Sequence, residues 1–513
     1  MSQEEIIQFL SEPNSYPARP ATAQRIDTHG AIVFLVGDEV WKIKRDVKLP
    51  YMDFSTPEKR RIVCWREVEL NRQTAPKLYI GANPICRDRA GKLNLEGRGE
   101  PVEWAVHMHR FDQDALLENV AARGELNDQL IRALTEHIAE FHRSIHKAID
   151  LDFAATMRRI ALELIDGYAL QHELFESPER EQFSTLINAA VVEQTDLLRM
   201  RSHDGFVRRC HGDLHLGNIV VIDGQPLLFD ALEFDEGFAT TDILYDIAFL
   251  IMDLWQRDLR HEANYLLNRY LIGIGFEPNI SGLVAMPLFL AIRAGIRAMV
   301  SGERAKLVQS DKSKTGAEAE ALHYFRAALD HLDPVPPRLI VIGGLSGTGK
   351  TTLATAIAHL FGAPPGAIHL RSDVERKQMH GVAETGRLGD VAYSKVTTQK
   401  VYDALIAKCR QTLLAKRAVI VDAVFSTPEE RQAVEQVARD LNLPFQGLWL
   451  SAPSDLLLER VAKRQGDASD ADQTVVRQQL ARDVGPLHWT VIDTRNSLSE
   501  IETKVSKLLE AFV

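Results

Sequence analysis

The run G-L-S-G-T-G-K-T at positions 344–351 has the residue types and spacing that bind phosphate. It fits G-x-x-x-x-G-K-[ST] between an apolar predicted strand and a helical pattern. Its glycines let backbone N–H groups curl around a β-phosphate, Lys350 reaches the β and γ oxygens, and Thr351 offers a hydroxyl to Mg²⁺. The candidate ATP-binding residues are Gly344, Ser346, Gly347, Thr348, Gly349, Lys350, Thr351 and Thr352.

Four further side chains in this part of the chain could complete the site. Asp422 ends an apolar run, where a carboxylate would assist the magnesium shell. Asp373 follows a predicted strand, where it could orient or deprotonate an acceptor hydroxyl, and a helix N-cap is the alternative role. Arg460 and Arg464 lie one helical turn apart. They could close on ATP as a lid, and solvated helix ends are the alternative.

An earlier loop, H-G-D-L-H-L-G-N at 211–218, predicts a second phosphoryl-transfer site. Asp213 and Asn218 stand five positions apart, as in the catalytic loop of protein kinases, where the aspartate accepts a hydroxyl proton and the asparagine binds metal. Asp230 follows a predicted hairpin and is a candidate second magnesium ligand. His211 and His215 are interpreted as local hydrogen-bonding groups rather than zinc ligands, because the neighbouring glycines argue against a helix there.

Such a site also needs a cation on the phosphates, and an early predicted hairpin supplies it. Val40, Lys42 and Lys44 alternate onto one strand face. Lys42 is favoured because Val40 is then left to lie under an adenine, and Lys44 remains the alternative. Glu67, on an apolar helical stripe, is the predicted partner of this lysine, with Glu69 as the alternative.

Several acidic residues arrive soon after Asp230. Glu233, Asp235 and Glu236 could receive a cationic or polyhydroxyl substrate. Solvated loop acids are the alternative interpretation.

The elements that must position these groups divide the chain into predicted domains. Residues 1–331 form the first, with a small sheet lobe at about 25–110 and a helical lobe at about 111–331. A proline-rich linker at 332–338 leads to a second domain at 339–513. There, apolar strands alternate with helices, which predicts a mostly parallel sheet covered on both faces.

The motif 211–218, Asp230 and the run D-I-L-Y-D-I-A at 242–248 together resemble the aminoglycoside phosphotransferase and choline kinase-like family, over roughly residues 25–325. The resemblance implies an α+β, bilobal, protein-kinase-like fold. It also implies that Asp213 is the catalytic base, that Asn218 and Asp230 hold magnesium, and that Asp242 and Asp246 brace the catalytic loop.

From about residue 339 the chain resembles the small P-loop kinases of the gluconate kinase, chloramphenicol phosphotransferase and zeta-toxin group. This implies an α/β P-loop NTPase domain that phosphorylates a small acceptor. The whole chain is similar to bifunctional proteins with two Mg-ATP sites, each acting on a hydroxyl group. In one alternative the P-loop part is an ATPase or nucleotide sensor, and in another the first part is a ligand-sensing pseudokinase.

The composition of the chain restricts the kinds of molecule that it is expected to bind. The formal net charge is −11, from 60 basic and 71 acidic residues, which disfavours a nonspecific grip on nucleic acid or an anionic membrane. Small hydroxyl-bearing molecules and nucleotides are the expected ligands. The first residues have no basic leader pattern, so a cytoplasmic location is expected. The acceptor and the oligomeric state stay open.

Overall fold

The computed structural model describes residues 3–28, 30–49, 52–307, 310–463 and 468–510. Its strands are β1 (Gln24–Asp27), β2 (Ala31–Val36), β3 (Glu39–Lys44), β4 (Lys48–Leu49), β5 (Met52–Asp53), β6 (Tyr79–Arg87), β7 (Leu93–Asn94), β8 (Glu100–His109), β9 (Val207–Arg209), β10 (Ile219–Ile222), β11 (Gln225–Leu228), β12 (Thr240–Asp242), β13 (Leu339–Gly344), β14 (Ile368–Arg371), β15 (Val419–Asp422), β16 (Phe445–Ser451) and β17 (Thr490–Asp493).

Its helices are α1 (Gln3–Ser11), α2 (Pro57–Asn71), α3 (Leu117–Ala122), α4 (Asp128–Ser144), α5 (Phe153–Leu170), α6 (Ser177–His203), α7 (Glu236–Ala239), α8 (Ile243–Gln256), α9 (Arg260–Ile274), α10 (Glu277–Ile280), α11 (Met286–Leu307), α12 (Asp311–Leu332), α13 (Lys350–Ile357), α14 (Ser372–Met379), α15 (Lys395–Leu414), α16 (Pro428–Leu441), α17 (Ser454–Lys463), α18 (Gln473–Leu480) and α19 (Leu498–Glu510).

The chain forms two compact units. The first contains Met1–Met157 and Leu198–Asp253, and the second contains Arg158–Leu197 and Leu254–Val513. Helix α12 ends just before the proline-rich stretch and β13 begins just after it. The two compact units are not separated at this stretch, because residues 254–513 all belong to the second unit. The boundary at 332–338 therefore stays a prediction.

The first unit is organised by an antiparallel six-stranded sheet in the order β1-β2-β3-β8-β6-β7. Strands β2 and β3 form a hairpin that turns at Gly37, whose φ of 58° suits glycine. Helix α2 begins at an N-cap in which the Thr56 side chain accepts from the backbone N–H of Lys59, and Pro57 occupies the first turn. The cap and the apolar side of α2 direct Glu67 inward against β3.

The second unit contains a five-stranded sheet in the order β14-β15-β13-β16-β17, and every one of these strand pairs is parallel. Its core includes Ile340, Ile342, Ile420 and Leu448, all of them buried. Apolar strands covered by helices on both faces explain this near-continuous burial. The predicted sequence of fold classes, a kinase-like sheet-and-helix part followed by a parallel α/β part, is confirmed.

One helical stretch among the described residues, Glu277–Lys306, is long and apolar enough to cross a membrane. Since 67% of its most apolar window is buried inside the fold, it has the character of a core helix.

Candidate functional site

The phosphate-binding run lies between β13 and α13 and depends on backbone angles that favour glycine. Gly344, Gly347 and Gly349 have φ values of 139°, 88° and 88°. A Cβ on Gly344 would come within 2.5 Å of the Leu450 carbonyl oxygen, and one on Gly347 within 2.9 Å of the Leu457 carbonyl oxygen. Glycine is therefore required at 344 and 347 for both angle and space.

The groups expected to meet magnesium lie together at the end of this sheet. The Thr351 hydroxyl donates to Asp422 Oδ2 at 2.5 Å, and β15 places Asp422 beside Ile342 of β13. Burial alone would raise the pKa of Asp422, but contact with His369 and the positive charge of Lys350 lower it to about 2. A hydroxyl and an ionised carboxylate are the oxygen donors that Mg²⁺ prefers, so these residues fit the ion.

A cavity of about 1030 Å³ opens beside the glycine run and includes Thr352, Asp373, Asp422 and Arg460 in its lining. Asp373 lies in the first turn of α14, and burial, with Asp422 nearby, raises the pKa of its carboxyl. The alternative that Ser372 or Asp373 is the N-cap is wrong, because the N-cap of α14 is Arg371, which makes no side-chain cap hydrogen bond.

Of the two arginines predicted to form a lid, the structure describes Arg460. Arg460 Nη2 donates to the Thr494 carbonyl oxygen at 2.7 Å, and its Nη1 lies 3.5 Å from the Gly347 carbonyl oxygen. Arg460 therefore lies against the glycine run, whereas Arg464 falls outside the described residues. Sequence reasoning missed Gln479 of α18, whose side-chain oxygen accepts from the Ser346 backbone N–H at 2.8 Å.

The candidate catalytic loop of the first unit contains a 3₁₀ turn, Leu216–Asn218. Asn218 Nδ2 donates to Asp213 Oδ2 at 3.0 Å and to the Asp213 carbonyl oxygen at 2.9 Å. Because the amide nitrogen is used in this way, the Asn218 oxygen remains the atom suited to a metal. Asp230 follows the β10–β11 hairpin in a left-handed conformation, with φ of 58°.

Two lysines and three carboxylates form an ion cluster here, and all of them except Asp230 are largely buried. We call it the lysine cluster: Lys42, Lys44, Glu67, Asp230 and Glu233. Lys42 Nζ lies 3.0 Å from Glu67 Oε1 and 2.6 Å from Asp230 Oδ1. Lys44 Nζ lies 2.5 Å from Glu67 Oε2 and also contacts Glu233. Glu67 therefore bridges both candidate lysines, and its side chain is 0% exposed.

The members of the lysine cluster differ in what else they contact. Lys42 is 13% exposed and contacts the candidate metal ligand Asp230, whereas Lys44 is 3% exposed. Burial would raise the pKa of Asp230, but Lys42 and Lys44 outweigh it and the pKa is lowered. The alternative partner Glu69 is 66% exposed and pairs with Arg66.

The acids after Asp230 are engaged within the fold. Glu233 contacts Lys44, the Asp235 side chain accepts from the Phe238 backbone N–H at 3.0 Å, and Glu236 pairs with Arg66 at 2.7 Å. Solvated loop acids are therefore a wrong description of Glu233.

Asp246 of α8 supports the loop 211–218, whereas Asp242, at the end of β12, pairs with a residue of α6. Asp246 Oδ1 accepts from the Gly212 backbone N–H at 2.8 Å, and its Oδ2 lies 3.0 Å from His142 Nε2. Asp242 makes a two-point pair with Arg201, at 2.6 and 2.9 Å. Sequence reasoning missed these two basic partners, which lie far away in the chain.

The two histidines of the loop make local hydrogen bonds. His211 Nε2 lies 2.9 Å from the Phe229 carbonyl oxygen, and His215 Nδ1 accepts from the Gly217 backbone N–H at 3.1 Å.

Comparisons with known proteins find two family matches in this chain, one over each of the two candidate sites. Residues 66–278 match the phosphotransferase enzyme family and residues 339–486 match the AAA domain. An uncharacterised protein of Mycobacterium tuberculosis is 29% identical over 463 residues, which cover 89% of each chain, and one of Mycobacterium bovis is equally similar.

Two solved structures show similarity at lower identity. A choline/ethanolamine kinase family protein from Mesorhizobium loti is 13% identical and covers 65% of this chain and 99% of its own, with a TM-score of 0.37. A gluconokinase from Sinorhizobium meliloti is 20% identical and covers 34% of this chain and 97% of its own, with a TM-score of 0.24. The family matches confirm the resemblance to two kinase-like groups: this chain carries a segment that matches the phosphotransferase enzyme family, followed by a P-loop segment that matches the AAA domain.

Proposed function

We propose that this protein is a phosphotransferase with two Mg-ATP sites, each of which transfers the γ-phosphoryl group to a hydroxyl of a small molecule. One observation carries the proposal: in each unit a carboxylate meets an ammonium or a hydroxyl group that is far away in the sequence. Lys42 contacts Asp230 in the first unit, and the Thr351 hydroxyl contacts Asp422 beside Lys350 in the second.

In the first site, Asp213 accepts the proton of the acceptor hydroxyl. The oxygen of the acceptor then bonds to the γ-phosphorus of ATP while the bond between that phosphorus and ADP breaks. Asn218 and Asp230 would hold magnesium, which neutralises phosphate charge when bound. Lys42, kept in place by Glu67, would contact the phosphates. This lysine is a better candidate than Lys44, because it alone of the two contacts Asp230.

In the second site, the glycine run would hold the ATP phosphates, with Lys350 on the terminal oxygens and Thr351 and Asp422 as the metal-binding pair. Asp373 accepts the proton of the acceptor hydroxyl. Its burial supports this assignment, because a carboxyl with a raised pKa takes up a proton more readily. Arg460, against the glycine run, would neutralise charge on the transferred group.

The acceptors that fit this proposal are small hydroxyl-bearing molecules rather than nucleic acid, since the chain is acidic overall. A cytoplasmic location is part of the proposal.

The test is a screen of hydroxyl-bearing metabolites for ATP-dependent gain of one phosphoryl group. Asp213→Asn should lower first-site transfer by roughly 10²–10⁴-fold, the usual contribution of a catalytic base. Lys350→Ala should abolish second-site transfer. The exposed Glu69→Gln is the matched control and should leave both unchanged.

The outcomes separate the alternatives. If each variant removes a different activity, the two sites work independently. ATP hydrolysis that depends on Lys350 without any phosphorylated acceptor at the second site would show an ATPase or sensor there. Transfer that is unaffected by Asp213→Asn would contradict the first-site proposal.

A further inference from the structure

Strand β14 lies at the edge of the parallel sheet, and helix α9 covers its open side. Asn268 Oδ1 accepts from the His369 backbone N–H at 2.8 Å, and Asn264 Nδ2 donates to the Ala367 carbonyl oxygen at 3.0 Å. All of these residues belong to the second unit. An edge strand otherwise leaves its backbone groups without a partner strand, so two asparagines here replace a neighbouring strand.

The same helix reaches the cavity through a chain of ion pairs. Arg269 Nη1 lies 2.7 Å from Glu384 Oε2, and Glu384 Oε1 lies 3.4 Å from Arg371 Nη1. All three side chains are at most 16% exposed. Arg371 is the last residue of β14, lines the cavity and is paired in register with Asp422. The charge on α9 is therefore connected to the phosphate site by one carboxylate.

A second contact comes from the start of α10. Glu277 Oε1 lies 2.8 Å from Lys408 Nζ, which lies 2.6 Å from Glu375 Oε2. The Lys408 ammonium also lies over the Phe276 ring, 5.3 Å from its centroid. Glu375 belongs to α14, the helix whose first turn carries Asp373. Residues 260–277 thus support both β14, the strand before Asp373, and α14, the helix that contains it.

These residues come from the phosphotransferase-family segment, which matches up to residue 278, and not from the AAA-type segment, which starts at 339. We propose that Arg269 is a positioning residue of the P-loop site, which holds Arg371 at the cavity through Glu384. This inference rests on the proposed transfer activity of that site. Without Arg269, the Glu384 carboxylate loses an arginine partner and draws the Arg371 guanidinium away from the cavity.

The test uses the full-length protein with Asp213→Asn and Lys42→Met, which together remove transfer and nucleotide binding at the first site. Turnover of Mg-ATP is measured together with the affinity for Mg-ADP by calorimetry. Arg269→Gln should lower turnover about 10- to 100-fold, the scale of a misplaced group, with ADP affinity within about twofold. Arg269→Lys should recover most of the turnover, because it keeps the charge. Glu384→Gln should match Arg269→Gln, and the double variant should be no worse than either.

Arg260 on the same helix is the matched control, because its side chain is 55% exposed. Arg260→Gln should leave turnover and ADP affinity unchanged. Equal loss of affinity and turnover in Arg269→Gln, or no loss of either, would overturn the positioning role.

A second measurement keeps this inference separate from the proposed function. Hydrogen exchange of peptides that cover 367–371 and 384 should speed up in Arg269→Gln but not in Arg260→Gln. If the unsubstituted P-loop site turned over no ATP, the proposed activity would fail while faster exchange would still support the contact through Glu384. Unchanged exchange would overturn it.

Discussion

Replacing Lys44 tests whether this lysine stabilises the fold while Lys42 binds phosphate. In Lys44→Met, Glu67 and Glu233 lose a cation that they share, at a place where Lys44 is 3% and Glu67 0% exposed. Removing one partner of a buried ion pair costs about 3–5 kcal/mol. At about 2–4 °C for each kcal/mol in a unit of this size, the melting temperature should fall by about 6–20 °C.

The loss should also depend on pH. Burial already raises the pKa of Glu233 despite the opposing effect of Lys44, and loss of the lysine raises it further. The folded variant then binds more protons than the unfolded chain above the ordinary carboxyl pKa of 4.5, so its stability falls as pH rises. The melting temperature of Lys44→Met should therefore lie further below that of the parent protein at pH 8 than at pH 6. Adding Glu233→Gln to Lys44→Met should make this difference smaller.

The assay is thermal melting at both pH values, with nucleotide titration. Lys42→Met is the companion variant and should lose nucleotide binding at the first site with a smaller fall in melting temperature, because Lys42 faces Asp230 and is more exposed. A Lys44→Met protein that melted within 2 °C of the parent at pH 8, or that became more stable as pH rose, would refute this reasoning.

Three further outcomes follow from buried or constrained positions. Burial and the charge of Arg417 lower the pKa of His331 from 6.5 to about 4. Stability that is present above pH 6.5 is therefore lost as the pH falls to 4, by up to ~3 kcal/mol. His331→Leu should remove this loss, as measured by acid-unfolding curves. Arg201→Met should cost about 3–5 kcal/mol in denaturant melts, because both Arg201 and Asp242 are 0% exposed. Gly347→Ala should weaken nucleotide binding at the second site roughly 10-fold in calorimetry, because its φ is 88° and its Cβ would crowd the backbone of α17.

Stretches of contiguous residues were predictable from the sequence. The glycine run binds through consecutive backbone N–H groups, so its spacing alone indicates the loop between a strand and a helix. The alternation of apolar strands with helices predicted the parallel sheet, because both faces of such a sheet must be covered. The sequence also indicated Lys42 and Glu67 as partners, since each lies on an inward face of its own element.

What only the tertiary structure decided is how charges distant in the chain share one buried space. Lys42 and Asp230 are 188 positions apart, and nothing local indicates that Lys44 would share Glu67 while also contacting Glu233. Nothing in the local sequence of helix α9 indicates that its asparagines would close a sheet edge some hundred residues away. The physical reason is that a buried charge or backbone group requires a partner. Which residue becomes that partner depends on how the helices and strands pack, and the local sequence does not determine this.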